Sequence, residues 1–138
     1  MTVSESIIRW LKMFDPAEYR KMKKIDTDIQ SANADSYTLI KEPVRNVKPY
    51  ISGRKVNTDH YMIMARLPSQ SNTDRIENTG FGEALEGWVR DQDLKENYPE
   101  LTGVIVSKIS VTTPFYIGST NTNDSLYQMT VAIEYRKE

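Results

Sequence analysis

The clearest hydrophobic pattern in the sequence lies near its end, at residues 126–135 (LYQMTVAIEY). Apolar or aromatic side chains occupy every second position there, and mostly polar ones lie between them, which is typical of a strand with one buried face. Residues 104–117 carry the same alternation, and the connection 118–125 consists of Gly, Ser, Thr, Asn and Asp. These are loop-forming residues. The sequence therefore predicts a long antiparallel hairpin with strands at 104–117 and 126–136.

Three more strands are predicted upstream, at residues 37–42, 44–52 and 60–67. Pro43 and Pro68 end the first and the third in this interpretation, and Pro49 would confine the second to a sheet edge or a bulge. In the third strand, Met62 and Met64 lie opposite the apolar positions. That arrangement indicates that the second face of the strand is also partly covered.

Two amphipathic helices are predicted, at residues 2–14 and at about 79–93, with a polar loop at 69–78 before the second. Thr2 can cap the first helix and form a capping box with Glu5. Asp15 and Pro16 end it and can begin a short helix that runs to about residue 24. The apolar stripes at helical spacing are Val3, Ile7, Trp10, Leu11 and Phe14, and then Phe81, Leu85, Trp88, Val89 and Gln92.

The order of these elements predicts an α+β fold, because strands do not alternate singly with helices. We expect an antiparallel or mixed sheet of about five strands, with two main helices packed on one face. The length of 138 residues fits a single domain. Within it, residues 1–35 are predicted to form a helical N-terminal segment and residues 36–138 the sheet and its helix.

Two features of the helices leave alternatives open. One flank of the second helix carries the small residues Gly80, Ala84 and Gly87. They are either tolerated there without a special role, or they allow the first helix or a neighbouring subunit to approach closely. The basic residues between Arg20 and Lys24 form either a solvated helix face or a docking patch for an acidic partner. On the second helix, Glu86 and Arg90 should form an exposed ion pair, and Phe81 and Trp88 should anchor the helix on the sheet.

Composition excludes several classes of function. Because 18 basic and 19 acidic residues leave a formal charge of −1, the chain has no long-range attraction to nucleic acid or to anionic membrane. It has no cysteine, so thiolate metal sites and disulfides are excluded. No apolar run approaches the ~20 residues of a membrane span, and the first residues lack the features of a leader. We therefore expect a soluble protein made in the cytoplasm.

Catalytic patterns are missing as well. His60 is the single histidine, so His–His metal pairs are excluded, and no Gly-x-Ser-x-Gly elbow or glycine-rich phosphate loop occurs. The neighbouring carboxylates fall on predicted helix surfaces or loops. A small basic region around Arg54 and Lys55 lacks aromatic residues for base stacking. The residues alone predict a structural or interaction module with no catalytic residue, no cofactor and no metal site.

A resemblance extends this interpretation. Eight blocks, in this order and spacing, resemble the minor capsid or tail terminator proteins of long-tailed bacteriophages and prophages of Gram-positive bacteria. The resemblance extends roughly from residue 36 to residue 135. The blocks are residues 37–43 (YTLIKEP), 47–53 (VKPYISG), 61–66 (YMIMAR), 77–81 (ENTGF), 88–89 (WV), 98–101 (YPEL), 109–111 (ISV) and 126–135 (LYQMTVAIEY).

The resemblance implies a virion structural protein at the neck, assembled in the cytoplasm of a bacterial host. Such a protein would form a ring, expected to be a hexamer, that caps the tail tube and joins it to the head connector. Its partners would be its own copies, the tail tube protein and the head–tail connector protein. DNA would pass through the lumen without specific binding, and strand edges of neighbouring subunits would pair to close the ring.

Two exposed tips are the candidate contact surfaces. They are the turn at residues 52–55, with Arg54 and Lys55, and the loop at 119–123, with Ser119, Asn121 and Asn123; the small flank of Gly80, Ala84 and Gly87 is a third candidate. Two other functions stay open from the sequence. One is a head-completion or connector protein of the same particle, and the other is a small binding module or enzyme outside the virion.

Overall fold

The computed structural model describes residues 2–28, 35–49, 53 and 55–137. Within those residues the chain forms two helices and five strands. In chain order these are α1 (Val3–Leu11), β1 (Ile25–Thr27), β2 (Ser36–Pro49), β3 (Lys55–Pro68), α2 (Asn72–Leu94), β4 (Val104–Thr120) and β5 (Asp124–Lys137).

All five strands form one mixed sheet in the order β1-β2-β3-β5-β4. β1 pairs with β2 in parallel, and every other pair is antiparallel. The predicted C-terminal hairpin is confirmed, and β5 runs along the middle of the sheet between β3 and β4. The predicted α+β class with a five-stranded sheet is therefore confirmed.

The predicted alternation in β3 and β5 matches the buried face. Ile63 lies opposite Met129 and Tyr61 opposite Val131, and all four side chains are at most 2% exposed. Directly paired residues of antiparallel strands point to the same face. This face therefore carries the core, whereas Met62 and Met64 on the other face are half-buried.

Both helices lie on that core face. Trp10 of α1 meets Trp88 of α2 with ring centroids 4.6 Å apart, and the Trp10 indole donates to the carbonyl of Asn97 at 2.8 Å. Just beyond the end of α1, Phe14 packs edge-on against Phe81 at 5.9 Å. These aromatic contacts join the helices to each other as well as to the sheet.

The second helix begins earlier than predicted. The proposed loop at 69–78 is wrong, because α2 starts at Asn72. Ser71 accepts a hydrogen bond from the Asp74 amide at 3.1 Å, and Asp74 accepts one from the Ser71 amide at 3.4 Å. This is a capping box built with aspartate in place of glutamate, which is why its polar sequence looked like a loop.

The predicted helix at residues 15–24 is wrong, and so is the description of residues 1–35 as a helical segment. Residues 12–24 contain no helix, and they lead into β1, which the sequence did not predict. Met22 is fully buried and Ile25 is 7% exposed. Arg20 forms an ion pair with Asp35. We attribute the extended course to these tertiary contacts, which outweigh the local helix propensity of the segment.

The two strands predicted on either side of Pro43 are one. β2 runs continuously to Pro49, and its pairing with β3 shifts register between Lys41 and Arg45. Proline has no amide proton for the ladder, so it is tolerated at such an irregularity. Pro43 therefore lies at the register shift and does not end the strand. Residues 50–52 of the predicted second strand lie outside the described residues.

The outer edge of β4 is held by carboxylates of α2. Glu86 accepts a hydrogen bond from the Phe115 amide at 2.6 Å, and Asp93 accepts one from the Ile109 amide at 2.9 Å. The predicted pair of Glu86 with Arg90 is present at 3.5 Å, but the Glu86 side chain is only 14% exposed. Two acidic residues seven positions apart thus fix the helix along the edge strand.

Two glycines of α2 predict opposite effects of the same substitution. A β-carbon at Gly82 would lie 2.1 Å from the Phe115 ring, whereas one at Gly87 would meet nothing within 4 Å. Gly82→Ala should therefore destabilise the protein by about 1–3 kcal/mol through overpacking. Gly87→Ala should stabilise it by about 0.4–1 kcal/mol because alanine favours the helix. Urea unfolding measures both, and equal effects at the two positions would contradict this account.

Candidate interaction surfaces

The two predicted tips lie at opposite ends of the sheet. Lys55 begins β3 and pairs with Pro49, and Arg54 lies outside the described residues. Ser119 is still within β4 and pairs with Leu126, close to where Pro68 pairs with Asp124. Because β3 runs the full length of the sheet between these places, one partner could not contact both tips at once unless it spanned the sheet.

Hydrogen bonds fix the conformation of the tip between β4 and β5. Asn121 donates its amide to the carbonyl of Asp124 at 2.8 Å. Asn123 accepts from the Ser69 amide at 3.1 Å, and its side chain accepts from Gln70 at 2.8 Å. These bonds connect the tip to the segment before α2. The loop is therefore shorter than predicted and has a defined shape.

The small flank of α2 has two different environments. A β-carbon at Gly80 would lie 2.5 Å from the Tyr19 ring, so a side chain of the N-terminal segment fills this position. Of the two alternatives left open for this flank, a close approach of α1 is not what lies at Gly80, because the nearest atoms belong to the Tyr19 side chain. Ala84 and Gly87 instead border an open groove. Gly87 faces empty space on the described surface.

This groove, which we call the α2 groove, has a volume of about 510 Å³. Its apolar wall includes Phe14 and Trp88, and its rim carries the exposed carboxylates of Asp15, Glu18 and Asp91. Among the described residues that line it, none is Lys or Arg. Asp91 pairs with Lys95 at 2.8 Å, just outside the lining. The groove is therefore acidic with an apolar wall.

A second polar cluster surrounds Asp59, whose side chain is 6% exposed. Arg45 binds it with two hydrogen bonds, at 2.6 and 3.1 Å, and the Tyr135 hydroxyl donates to it at 3.0 Å. The Lys41 ammonium lies 3.6 Å away. Tyr61, with its ring in the core, lines the same small cavity of about 170 Å³.

The titration of this cluster follows from its geometry. Burial of Asp59 opposes ionisation, but hydrogen bonds from Arg45 and Tyr135 and the positive charge of Lys41 together hold its pKa below the ordinary value. Burial, followed by the negative charge of Asp59, raises the pKa of Tyr61 to about 12. Asp59 therefore remains ionised, and Tyr61 remains a neutral hydroxyl at physiological pH. Such an arrangement joins β2, β3 and β5 at one end of the core.

Asp59 was not among the predicted site residues, although the sequence carried a signal for it. It occupies the same phase of β3 as Tyr61 and Ile63, so the alternation already placed a carboxylate on the buried face. A buried charge needs partners. The α2 groove left no such signal, because its acidic rim combines residues 15–18 with a residue more than seventy positions later.

His60 lies on the face of the sheet opposite the helices, beside Ala132 in the β3–β5 register. In the part of the chain that the structure describes, no group of three or more His, Asp or Glu side chains is placed to hold a metal ion. Neither described helix is long and apolar enough to cross a membrane.

A scan against protein-family models and a search of curated proteins found no match to this chain.

Proposed function

We propose that this chain is a tail terminator, a virion structural protein that forms a ring on the end of a phage tail tube. The supporting observation is where the resembling blocks fall. They lie, in order, within β2, β3, α2, the link after α2, β4 and β5, apart from Gly53 between β2 and β3 and from residues outside the described ranges. Most of the buried residues beyond β1 belong to them. The resemblance therefore follows the core and not scattered surface positions.

The exposed surfaces agree with a ring-forming role. A closed ring of identical subunits needs two different surfaces on each copy, related head to tail. The chain presents different surfaces at the two ends of one continuous sheet, the β2–β3 hairpin at one end and the β4–β5 tip at the other. Hairpin tips on a rigid sheet are suited to contacts with a tube protein and a connector.

The expected closure of the ring by strand pairing does not fit β4. Two of its amides already donate to Glu86 and Asp93. At the opposite edge of the sheet, β1 pairs with β2 only from Tyr37 to Leu39. The rest of β2 contains two prolines and three basic residues, and such residues on an edge strand discourage the addition of another strand. We therefore propose that copies join through side chains, with each sheet complete in itself.

The proposal predicts a specific defect in particles assembled without this chain. Heads should fill with DNA but carry no tails, and tail tubes should exceed their normal length because nothing stops their growth. Electron microscopy of the lysate measures both. Tubes of normal length beside unjoined heads would show a head-completion protein instead, and normal joined particles would show a protein outside the virion. Either result would overturn the terminator proposal.

A further inference from the structure

The outer side of α1 ends in a cationic surface around one exposed methionine. Arg9 and Lys12 are both exposed, and Met13 is 55% exposed. The Met13 amide donates to the carbonyl of Trp10 at 3.1 Å, so a helical turn continues past the end of α1. Because residues three and four positions apart are neighbours on such a turn, Arg9 adjoins both Lys12 and Met13.

The two cations are not neutralised within their own chain. Glu5 lies one turn before Arg9, and Glu100 lines the same groove as Arg9 and Met13. Neither carboxylate comes within ion-pair distance of Arg9 or Lys12, and neither cation pairs with any other described residue. Their side-chain donors are therefore available to another molecule.

The α2 groove has the opposite charge and borders this surface. Met13 lines the groove beside Arg9, and the next residue, Phe14, belongs to the apolar wall of the α2 groove. Asp15 and Glu18 on the acidic rim also form no ion pair with a described residue of this chain. A cationic surface with an apolar side chain thus adjoins a groove that complements it in charge and in its apolar wall.

Met13 does not fill the α2 groove of its own chain. Phe14 is 3% exposed, and its ring lies 5.9 Å from that of Phe81 and 5.7 Å from that of Trp88, centroid to centroid. These contacts fix the backbone next to Met13, whose own side chain is left facing outward. The occupant of the groove must therefore come from another molecule, and a second copy of this chain carries a fitting surface.

We propose that two copies of the free chain associate through the end of α1. Met13 of each copy lies against the apolar wall of the other copy's α2 groove, and Arg9 and Lys12 face Asp15 and Glu18 across the contact. Because the cationic surface and the groove adjoin each other, a copy that fills one groove presents its own groove to be filled. The contact is therefore two-fold and self-complementary.

This contact differs from the head-to-tail contacts of a ring. Both copies use both surfaces, so association ends at a dimer and does not continue around a ring. The inference goes beyond the proposed function and does not depend on it. It describes how the free chain covers the partly exposed Trp88 wall.

Exchanging charges between the two surfaces tests the contact. One variant carries Arg9→Glu and Lys12→Glu, a second carries Asp15→Lys and Glu18→Lys, and a third carries all four changes. Sedimentation velocity and native mass spectrometry of the full chain measure association over a range of protein and salt concentrations, and circular dichroism checks that each variant folds. The chain has two tryptophans, and both lie at this contact, so tryptophan emission on dilution gives a second measure of dissociation.

We expect the wild-type chain to form a dimer that weakens with added salt. Either double variant should dimerise at least about tenfold more weakly, because like charges then face each other. The fourfold variant should recover the dimer, since its exchanged charges are again complementary. A matched control, Lys23→Glu with Lys24→Glu, changes the net charge as much as the first variant does but should leave the dimer intact.

The apolar part of the contact has its own test. Met13→Ala should weaken the dimer by about tenfold, because it removes the side chain that fills the partner's groove. It should hardly change the stability of the monomer, since more than half of the Met13 side chain is already exposed. Circular dichroism during urea unfolding checks the second expectation.

Three results would overturn this contact. The first is a wild-type chain that stays monomeric at every concentration. The second is a dimer that the double variants form equally well, or that the fourfold variant does not recover. The third is a ring-sized oligomer in place of the dimer, unchanged in all the variants; that result would support the proposed ring while excluding this contact.

Discussion

Phe81→Ala should lower the free energy of unfolding by about 3–5 kcal/mol, the usual cost of truncating a fully buried phenylalanine. Phe81 is 1% exposed. Its ring lies 5.9 Å from Phe14, 6.0 Å from Tyr37 and 5.8 Å from Phe115, centroid to centroid. The cavity would thus open where the N-terminal segment, β2, α2 and β4 meet. Urea unfolding followed by circular dichroism measures the loss.

A suitable control lies on the same helix. Ile76 is 64% exposed, so Ile76→Ala should change stability by no more than about 0.5 kcal/mol. Trp88→Ala should cost less than Phe81→Ala, because Trp88 is only partly buried. A loss below about 1 kcal/mol for Phe81→Ala would mean that Phe81 does not hold these four elements together.

Asp59→Asn should destabilise the protein by about 1–3 kcal/mol at neutral pH, because it removes the charged acceptor of several hydrogen bonds. Arg45 and Lys41 would lose their counter-charge, although both are about half exposed and water would compensate part of the loss. Tyr135 could still donate to the asparagine carbonyl. Parallel urea titrations of the two proteins measure the difference.

The same substitution has a pH signature. The folded pKa of Asp59 is lowered, so the unfolded chain binds the proton more readily. The stabilisation is complete above the unfolded pKa of about 4 and is lost as pH falls through the folded pKa. The difference in free energy of unfolding between the wild type and Asp59→Asn should therefore shrink as the pH falls over that range. A gap that stays constant on acidification would contradict the assigned role.

Local patterns along the chain predicted the sheet well. From Asp59 to Pro68, β3 alternates between buried and half-buried residues, and β5 keeps its large apolar residues on the same buried face. The loop chemistry before β5 marks the hairpin. Pro43 misled the interpretation, since a bulge can hold a proline inside a strand. The start of α2 was missed because a Ser–Asp capping box looks polar, and its stabilising bonds appear only when the backbone turns.

The interaction surfaces were less accessible to prediction. Residues 12–24 carry helix-forming side chains, but buried contacts of Met22 and the packing of Tyr19 on Gly80 determine their path. The rim of the α2 groove depends on that path. Its carboxylates appear in the sequence as ordinary solvated charges, and only the tertiary fold places Asp15 and Glu18 beside Asp91.

The bonds from β4 amides to carboxylates of α2 have a consequence for the synthesis of many copies of the chain at once. α2 precedes β4 in the sequence, so during synthesis the acceptors Glu86 and Asp93 exist before the strand whose amides they bind. Exposed strand edges on incomplete chains are the usual starting points of fibril growth. A chain that completes β4 here can cover it at once with a helix already made. Covering this edge during synthesis removes one place where the sheets of neighbouring chains could pair.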